Sequence, residues 1–272
     1  MRFTRRLAFA ATAAAALCLG TVIPAAANTA PDADDIPTYQ EFEASTFRDV
    51  DGAYVVNGDE IIANKGQLRD FYEQLLGPVT LNDDLIVNTV NNVDDRWSDA
   101  QVSNLTYCVS TAFGARHADV VNAMESGAAL WESASSKIDF VYVGSADGNC
   151  TTRNRSVLFS VEPVQTTQYI ARAFFPSSPE RQQNVLIDDS IWTPGSSWTP
   201  TNVLGHELGH VLGFRHEHTR PEAGTCFEDD NWRPLTPYDS SSIMHYPQCN
   251  GSSDDLSMTG VDVAGVVALY GN

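Results

Sequence analysis

Apolar and polar positions change their period several times along this chain, and each change marks an element. Leu7 to Ile23 is almost wholly apolar or small. Over Tyr54–Ile62, short apolar runs flank Asn57-Gly58, which predicts a β-hairpin. Asn64 to Leu76 reads as a helix: Leu68, Phe71, Tyr72, Leu75 and Leu76 recur on one face, Asn64 is placed to cap it with Gln67 three residues on, and Gly77-Pro78 ends it. Residues 82–104 are rich in Asn and Asp and predict an exposed connector. Leu105–Ser110 predicts a strand and Arg116–Ser133 a long helix with Val121, Met124, Ala128 and Trp131 on one side. Further strands are expected over 137–143, 156–164, 169–175 and 184–192. Thr199-Pro200 opens another helix, with Thr as cap and Pro in the first turn. Residues 219–258 look irregular, and Thr259–Leu269 predicts a closing helix with Val263, Val266, Val267 and Tyr270 inward. This order of strands and helices is an α+β pattern.

The apolar N-terminal run follows Arg2, Arg5 and Arg6 and precedes Ala25-Ala26-Ala27, so residues 1–27 are expected to be a secretory signal. Residues 28–95 are then a pro-segment with its connector, and 96–272 a single catalytic domain. Export fits the cysteines: with Cys18 in the signal, Cys108, Cys150, Cys226 and Cys249 form an even set. Three pairings are open. Cys108–Cys150 with Cys226–Cys249 is favoured, because each pair then lies within one half of the catalytic region. The chain carries 35 Asp and Glu against 16 Lys and Arg, a formal charge of -19. Such a surface excludes nucleic acid and anionic membrane as partners. No later run is long and apolar enough to span a bilayer, and a monomer is expected.

Chemistry concentrates in His206-Glu-Leu-Gly-His210-Val-Leu-Gly213-Phe-Arg-His216. On a helix His206 and His210 sit one turn apart on the same side, where two imidazoles can bind one metal. Glu207 is offset but within reach of a water on the metal's open side. Gly213 tolerates the left-handed turn that ends a helix and lets the chain return His216 as a third ligand. Three nitrogens leave a tetrahedral zinc one free position, the arrangement of catalytic sites. His117, His218 and His245 are expected to be surface residues outside the ligand set. A calcium site is not readable from the sequence.

Ser242-Ile243-Met244-His245-Tyr246 follows some thirty residues later. Together the two motifs resemble the metzincin metalloproteases and, through Glu217 directly after the third His and Tyr246 two residues after Met244, the astacin-like branch; His216–Glu222 resembles it too. The likeness covers about 203–246 most strongly. It implies a metzincin-like zincin: a twisted mixed sheet over a zinc helix, a long backing helix, and a mostly irregular C-terminal part ending in a helix. It implies one Zn²⁺ on His206, His210 and His216, Glu207 as general base, Tyr246 as a partner of the oxyanion, and protein or peptide substrates. Met244 becomes a structural turn under the metal, and Glu217 a partner of the mature N-terminus. Val56-Asn57-Gly58-Asp59 is similar to the pro-segment motif whose Asp fills the fourth zinc position. Read from residues alone, Asp59 merely follows a hairpin turn. The rival readings are a noncatalytic metzincin-fold binding or adhesion protein, which loss of Glu207 would signal, and another metzincin family such as the matrixins.

Overall fold

A computed structural model describes residues 37–76, 85–193 and 197–272. The expected signal with Cys18, and Gly77-Pro78, lie outside the described residues.

Residues 37–76 build a small unit around its own apolar cluster. Helix α1 (Tyr39–Ser45) is closed by a capping box between Thr38 and Glu41. Strands β1 (Phe47–Arg48), β2 (Tyr54–Val56) and β3 (Glu60–Ile62) form an antiparallel sheet. The β2–β3 turn is the Asn-Gly hairpin: Asn57 and Gly58 take φ of 57° and 102°. Helix α2 (Lys65–Leu75) starts where the Asn64 side chain accepts the amides of Gly66 and Gln67, a cap worth about 1 kcal/mol. Leu68, Phe71 and Leu75 meet Tyr39, Tyr54 and Val56 in the cluster, whereas Leu76 is exposed.

The expected exposed connector is corrected. Strand β4 (Ile86–Val90) pairs antiparallel with β5 (Val93–Asp94) and with a later strand over 232–234. Leu85, Ile86, Val87 and Trp97 are buried, and the Trp97 indole donates to the Val211 carbonyl at 2.7 Å. The Asn- and Asp-rich composition hides short apolar steps. Its polar side chains are partly internal: Asn88 donates to Asp95 at 2.8 Å, and both are buried.

After the short helix α3 (Asp99–Val102) come β6 (Leu105–Val109), the long helix α4 (His117–Ala134), β7 (Phe140–Tyr142), β8 (Phe159–Val164), β9 (Ala171–Arg172) and β10 (Asn184–Asp188). They give a mixed sheet of order β7-β6-β8-β10-β9, parallel except for β9, which runs antiparallel at one edge. Four strands are shorter than the sequence pattern suggests, β8 by starting at Phe159 rather than 156. β7 occupies only 140–142 of the expected 137–143, and β9 is two residues of 169–175. β10 stops at Asp188, whose side chain caps a 3₁₀ turn over Asp189–Trp192 by accepting the Ser190 amide.

Helix α5 (Pro200–Val211) begins as expected, with the Thr199 hydroxyl accepting the Asn202 amide. It crosses α4 at two glycines: a Cβ on Gly127 would lie 2.8 Å from the Gly205 nitrogen. At this crossing Trp131 donates to the Gly205 carbonyl at 2.8 Å. Beyond strand β11 (Trp232–Pro234) the chain is irregular until α6 (Gly260–Tyr270), capped by Thr259 and Asp262. The buried face of α6 is Asp262, Gly265, Val266, Leu269 and Tyr270; Val263, expected inside, is exposed. Asp262 shifts this face because its carboxylate turns inward to Ser242 and the Ile243 amide. Disulfides join Cys108 to Cys150 and Cys226 to Cys249, each with Cα atoms 5.6 Å apart. Among the described residues no helix is long and apolar enough to cross a membrane.

Candidate metal centre

Helix α5 sets His206 and His210 one turn apart, and Gly213 ends it with φ 100°. A Cβ at Gly213 would lie 2.2 Å from the Asp95 carbonyl oxygen, so glycine is required both for the turn and for the approach of residues 95–97. The chain then turns back, and His216 faces the two helical histidines.

Each ring is tied by its inner nitrogen. His206 Nδ1–H donates to the Ile243 carbonyl at 2.7 Å and His210 Nδ1–H to the Phe214 carbonyl at 2.8 Å. His216 Nδ1–H donates to Glu228 at 2.8 Å. Carbonyl oxygens only accept, so these contacts fix the tautomers and leave the Nε2 lone pairs pointing inward. The Nε2 atoms of His206 and His210 each stand 3.2 Å from that of His216. Three lone pairs facing one point repel unless a cation lies between them. Three nitrogens and one oxygen are a zinc donor set, so the residues present fit the metal.

The oxygen comes from Asp59. Its carboxylate lies 3.4 Å from His206 Nε2, 3.4 Å from His210 Nε2 and 3.0 Å from His216 Nε2. Asp59 Oδ1 makes no hydrogen bond to a described residue. The hairpin turn and the approach to the histidines are therefore one feature, in which the Asn57-Gly58 turn presents Asp59.

Glu207 and Tyr246 flank this point. Glu207 is buried and its Oε2 has no hydrogen bond. Burial, then the nearby charge of Asp59, pushes its carboxyl well above the usual range. The Tyr246 hydroxyl donates to Asp59 Oδ2, and its ring stacks on His206 with centroids 5.4 Å apart. Met244 lies under the helix: a Cβ at Gly209 would sit 2.4 Å from its sulfur, so the glycine of His-Glu-Leu-Gly-His admits the turn. Glu217 donates its amide to the Met244 carbonyl and binds Arg220 at 2.9 Å and the Asp239 amide at 3.1 Å. His117 pairs with Asp147 at 2.9 Å, away from the centre. His218 and His245 are buried rather than superficial, and burial pushes each down to about 4. His218 lies 3.3 Å from Glu228, beside the third ligand.

Two buried arginines complete the surroundings, and the sequence reading misses both. Arg215 meets Glu60 at 3.0 Å, Glu228 at 3.1 Å and Asp229 at 2.7 Å. Arg172 meets Asp49 and Asp51, each at 2.7 Å. Removing one partner from such a buried pair costs about 3–5 kcal/mol. The available signals were an Arg set inside the histidine motif and the paired acids Asp49 and Asp51. Neither names its partner.

The matrixin family (Peptidase_M10) matches residues 96–223. Residues 96–223 are thus similar to the metzincin metalloproteases. Short stretches of the chain are also similar to astacin-like proteins. Zinc metalloproteinase nas-39 of Caenorhabditis elegans is 37% identical over 71 residues, covering 19% of this chain and 8% of that protein. Astacin-like metalloprotease toxin 2 of Loxosceles intermedia is 32% identical over 75 residues, covering 21% and 29%. The matched segments thus span well under two thirds of these relatives. The structure of myroilysin is similar with TM-score 0.46 and 16% identity, over 69% of this chain and 98% of that one. The metzincin region and the α+β class agree with the sequence reading. The matched family is matrixin, while Glu217 and Tyr246 are the astacin-like marks.

Proposed function

We propose that this chain is the latent precursor of a secreted, astacin-like zinc endopeptidase. The observation that carries the reading is the convergence of three Nε2 atoms, each on a ring whose other nitrogen is already engaged, beside the buried carboxylate of Glu207. His206, His210 and His216 would hold one zinc. When bound, zinc polarises a peptide carbonyl and acidifies a water. Glu207 takes the proton of the attacking water and hands it to the leaving amine. The Tyr246 hydroxyl, engaged by Asp59 in the full chain, is freed when Asp59 departs and donates to the oxyanion. Met244 and Gly209 keep the floor of the site rigid. Glu217 braces the turn through Arg220, and by resemblance meets the new N-terminus after processing. A noncatalytic metzincin-fold protein has no use for Glu207 in this position, and its presence favours the enzyme.

Residues 37–76 act as the inhibitory segment, with Asp59 in the fourth position. The catalytic unit is best taken from Leu85 rather than 96, because cutting later would pull Ile86, Val87 and Trp97 out of its core. Two disulfides and a charge of -19 fit a protein that works outside the cell.

The reading predicts one zinc per processed chain. Chelation abolishes peptidase activity and added zinc restores it. Activity falls below about pH 5–6, where protons compete for the ligand histidines. Metal analysis of an active preparation free of zinc would overturn the assignment. Tyr246→Phe lowers kcat more than it changes KM, since the hydroxyl acts in the transition state. An unchanged kcat would leave Tyr246 a packing residue.

A further inference from the structure

We infer that Arg172 and Tyr169 form a carboxylate-binding subsite at the edge of the cleft, filled in the full chain by Asp49 and Asp51 and open to an acidic side chain of a peptide substrate once that segment is released. The substrate rests on the peptidase reading above; the carboxylate chemistry rests on contacts in the structure.

β9 is the outermost strand of the main sheet, so its outer edge has no neighbour in that sheet. The residues leading into it, Tyr169, Ile170 and Ala171, line a small cavity with His206, Glu207 and Tyr246. Arg172 follows directly, with its side chain fully buried. Its Nε donates to Asp49 at 2.7 Å, Nη2 to Asp51 at 2.7 Å and Nη1 to the Asn184 side-chain oxygen at 2.9 Å. The Tyr169 hydroxyl donates to the same Asp49 oxygen at 2.5 Å. The pocket therefore already holds carboxylates, through a fork of guanidinium donors and a phenol.

Comparison with Arg215 shows why this site, and not the other, is left wanting an anion. Arg215 loses Glu60 with the pro-segment but keeps Glu228 and Asp229, both from the catalytic region. Both carboxylates that Arg172 binds come from residues 49–51, and the catalytic region supplies it only the neutral amide of Asn184. A buried guanidinium stripped of its carboxylates is costly, and an incoming anion relieves that cost. In a chain of net charge -19 such a cationic point is a local focus for an acidic side chain. An extended peptide laid along the free edge of β9 would deliver one.

The test uses the processed enzyme and a set of quenched peptides in which one Glu is moved through the positions around the scissile bond, each paired with its Gln counterpart. One position should show a Glu-to-Gln ratio of kcat/KM of about tenfold or more. Arg172→Gln brings that ratio close to one. Arg172→Lys keeps part of it, and Tyr169→Phe, a milder change, reduces it. A ratio near one at every position in the wild type, or a ratio that survives Arg172→Gln, overturns the subsite. If no peptide is cleaved, the peptidase reading has failed instead. Fluorescence anisotropy then decides the subsite, using a labelled peptide of residues 46–55. The wild-type peptide should bind at least about tenfold more tightly than one carrying D49N and D51N, and equal binding overturns the inference.

Discussion

Glu207→Gln lowers kcat of the processed enzyme by about 10²–10⁴-fold, equivalent to about 2.7–5.5 kcal/mol of transition-state stabilisation. Zinc content stays at one per chain. The two readouts separate because Glu207 is not among the converging nitrogens, and its Oε2 has no hydrogen bond to lose. Glutamine keeps the shape and fills the same buried space, but its amide cannot take a proton from water. Steady-state assay on a casein-type substrate, with metal analysis of the same sample, checks both halves. A variant with near-full kcat would remove Glu207 as the base. A variant that loses zinc would make Glu207 part of the metal's support rather than of the proton transfer.

Asp59→Ala raises the peptidase activity of the unprocessed chain, by roughly 10²-fold given the effective concentration that tethering confers on an inhibitory ligand. The wild-type carboxylate lies within 3.0–3.4 Å of all three Nε2 atoms and engages Tyr246, so it blocks both the open position and the oxyanion partner. The variant should remain below the fully processed enzyme, because Asp49, Asp51 and Glu60 still clasp Arg172 and Arg215 and keep the hairpin across the cleft. Assaying the intact chain, with gel analysis to show that it stays uncut, gives the comparison. If the intact wild-type chain is already active, there is no latency to explain. If Asp59→Ala stays silent while proteolytic processing activates, then coverage of the cleft and not the carboxylate causes the inhibition.

What could be read from the sequence was local. The span from His206 to His216 encodes helix, stop and return within eleven residues, although the contacts that orient its rings reach Ile243 and Glu228. The Asn-Gly hairpin and the Thr199, Asn64 and Thr259 caps are legible because they too are local. Asp59 posed a choice between turn residue and ligand mimic; the two are not exclusive, because the turn carries the carboxylate to the histidines. The unread parts depend on distant partners. No periodicity announces that Leu85–Trp97 packs inside the catalytic body, since its partners are at 211, 232–234 and the C-terminal helix. The burial of Arg172 and Arg215 is equally silent, because each is a single Arg among uncharged neighbours and nothing beside it names the carboxylates that neutralise it. The strand expected over 184–192 was overestimated because its β-prone residues continue into a 3₁₀ turn.

The weaving of residues 85–97 into the far end of the chain also governs how the protein is made. Leu85 fills the notch left by Gly265 on α6, Arg96 donates to the Leu269 carbonyl at 2.6 Å, and the Tyr270 hydroxyl donates to the Leu212 carbonyl at 2.5 Å. The first strand of the catalytic body thus waits for the last helix to be synthesised. Contacts this remote in sequence close late and slowly. The unit at 37–76 has the members of its own apolar cluster at hand much earlier. A nascent chain would hold the cluster of 37–76 beside an unfinished body until α6 emerges, and losing α6 would unseat residues 85–97 together with it.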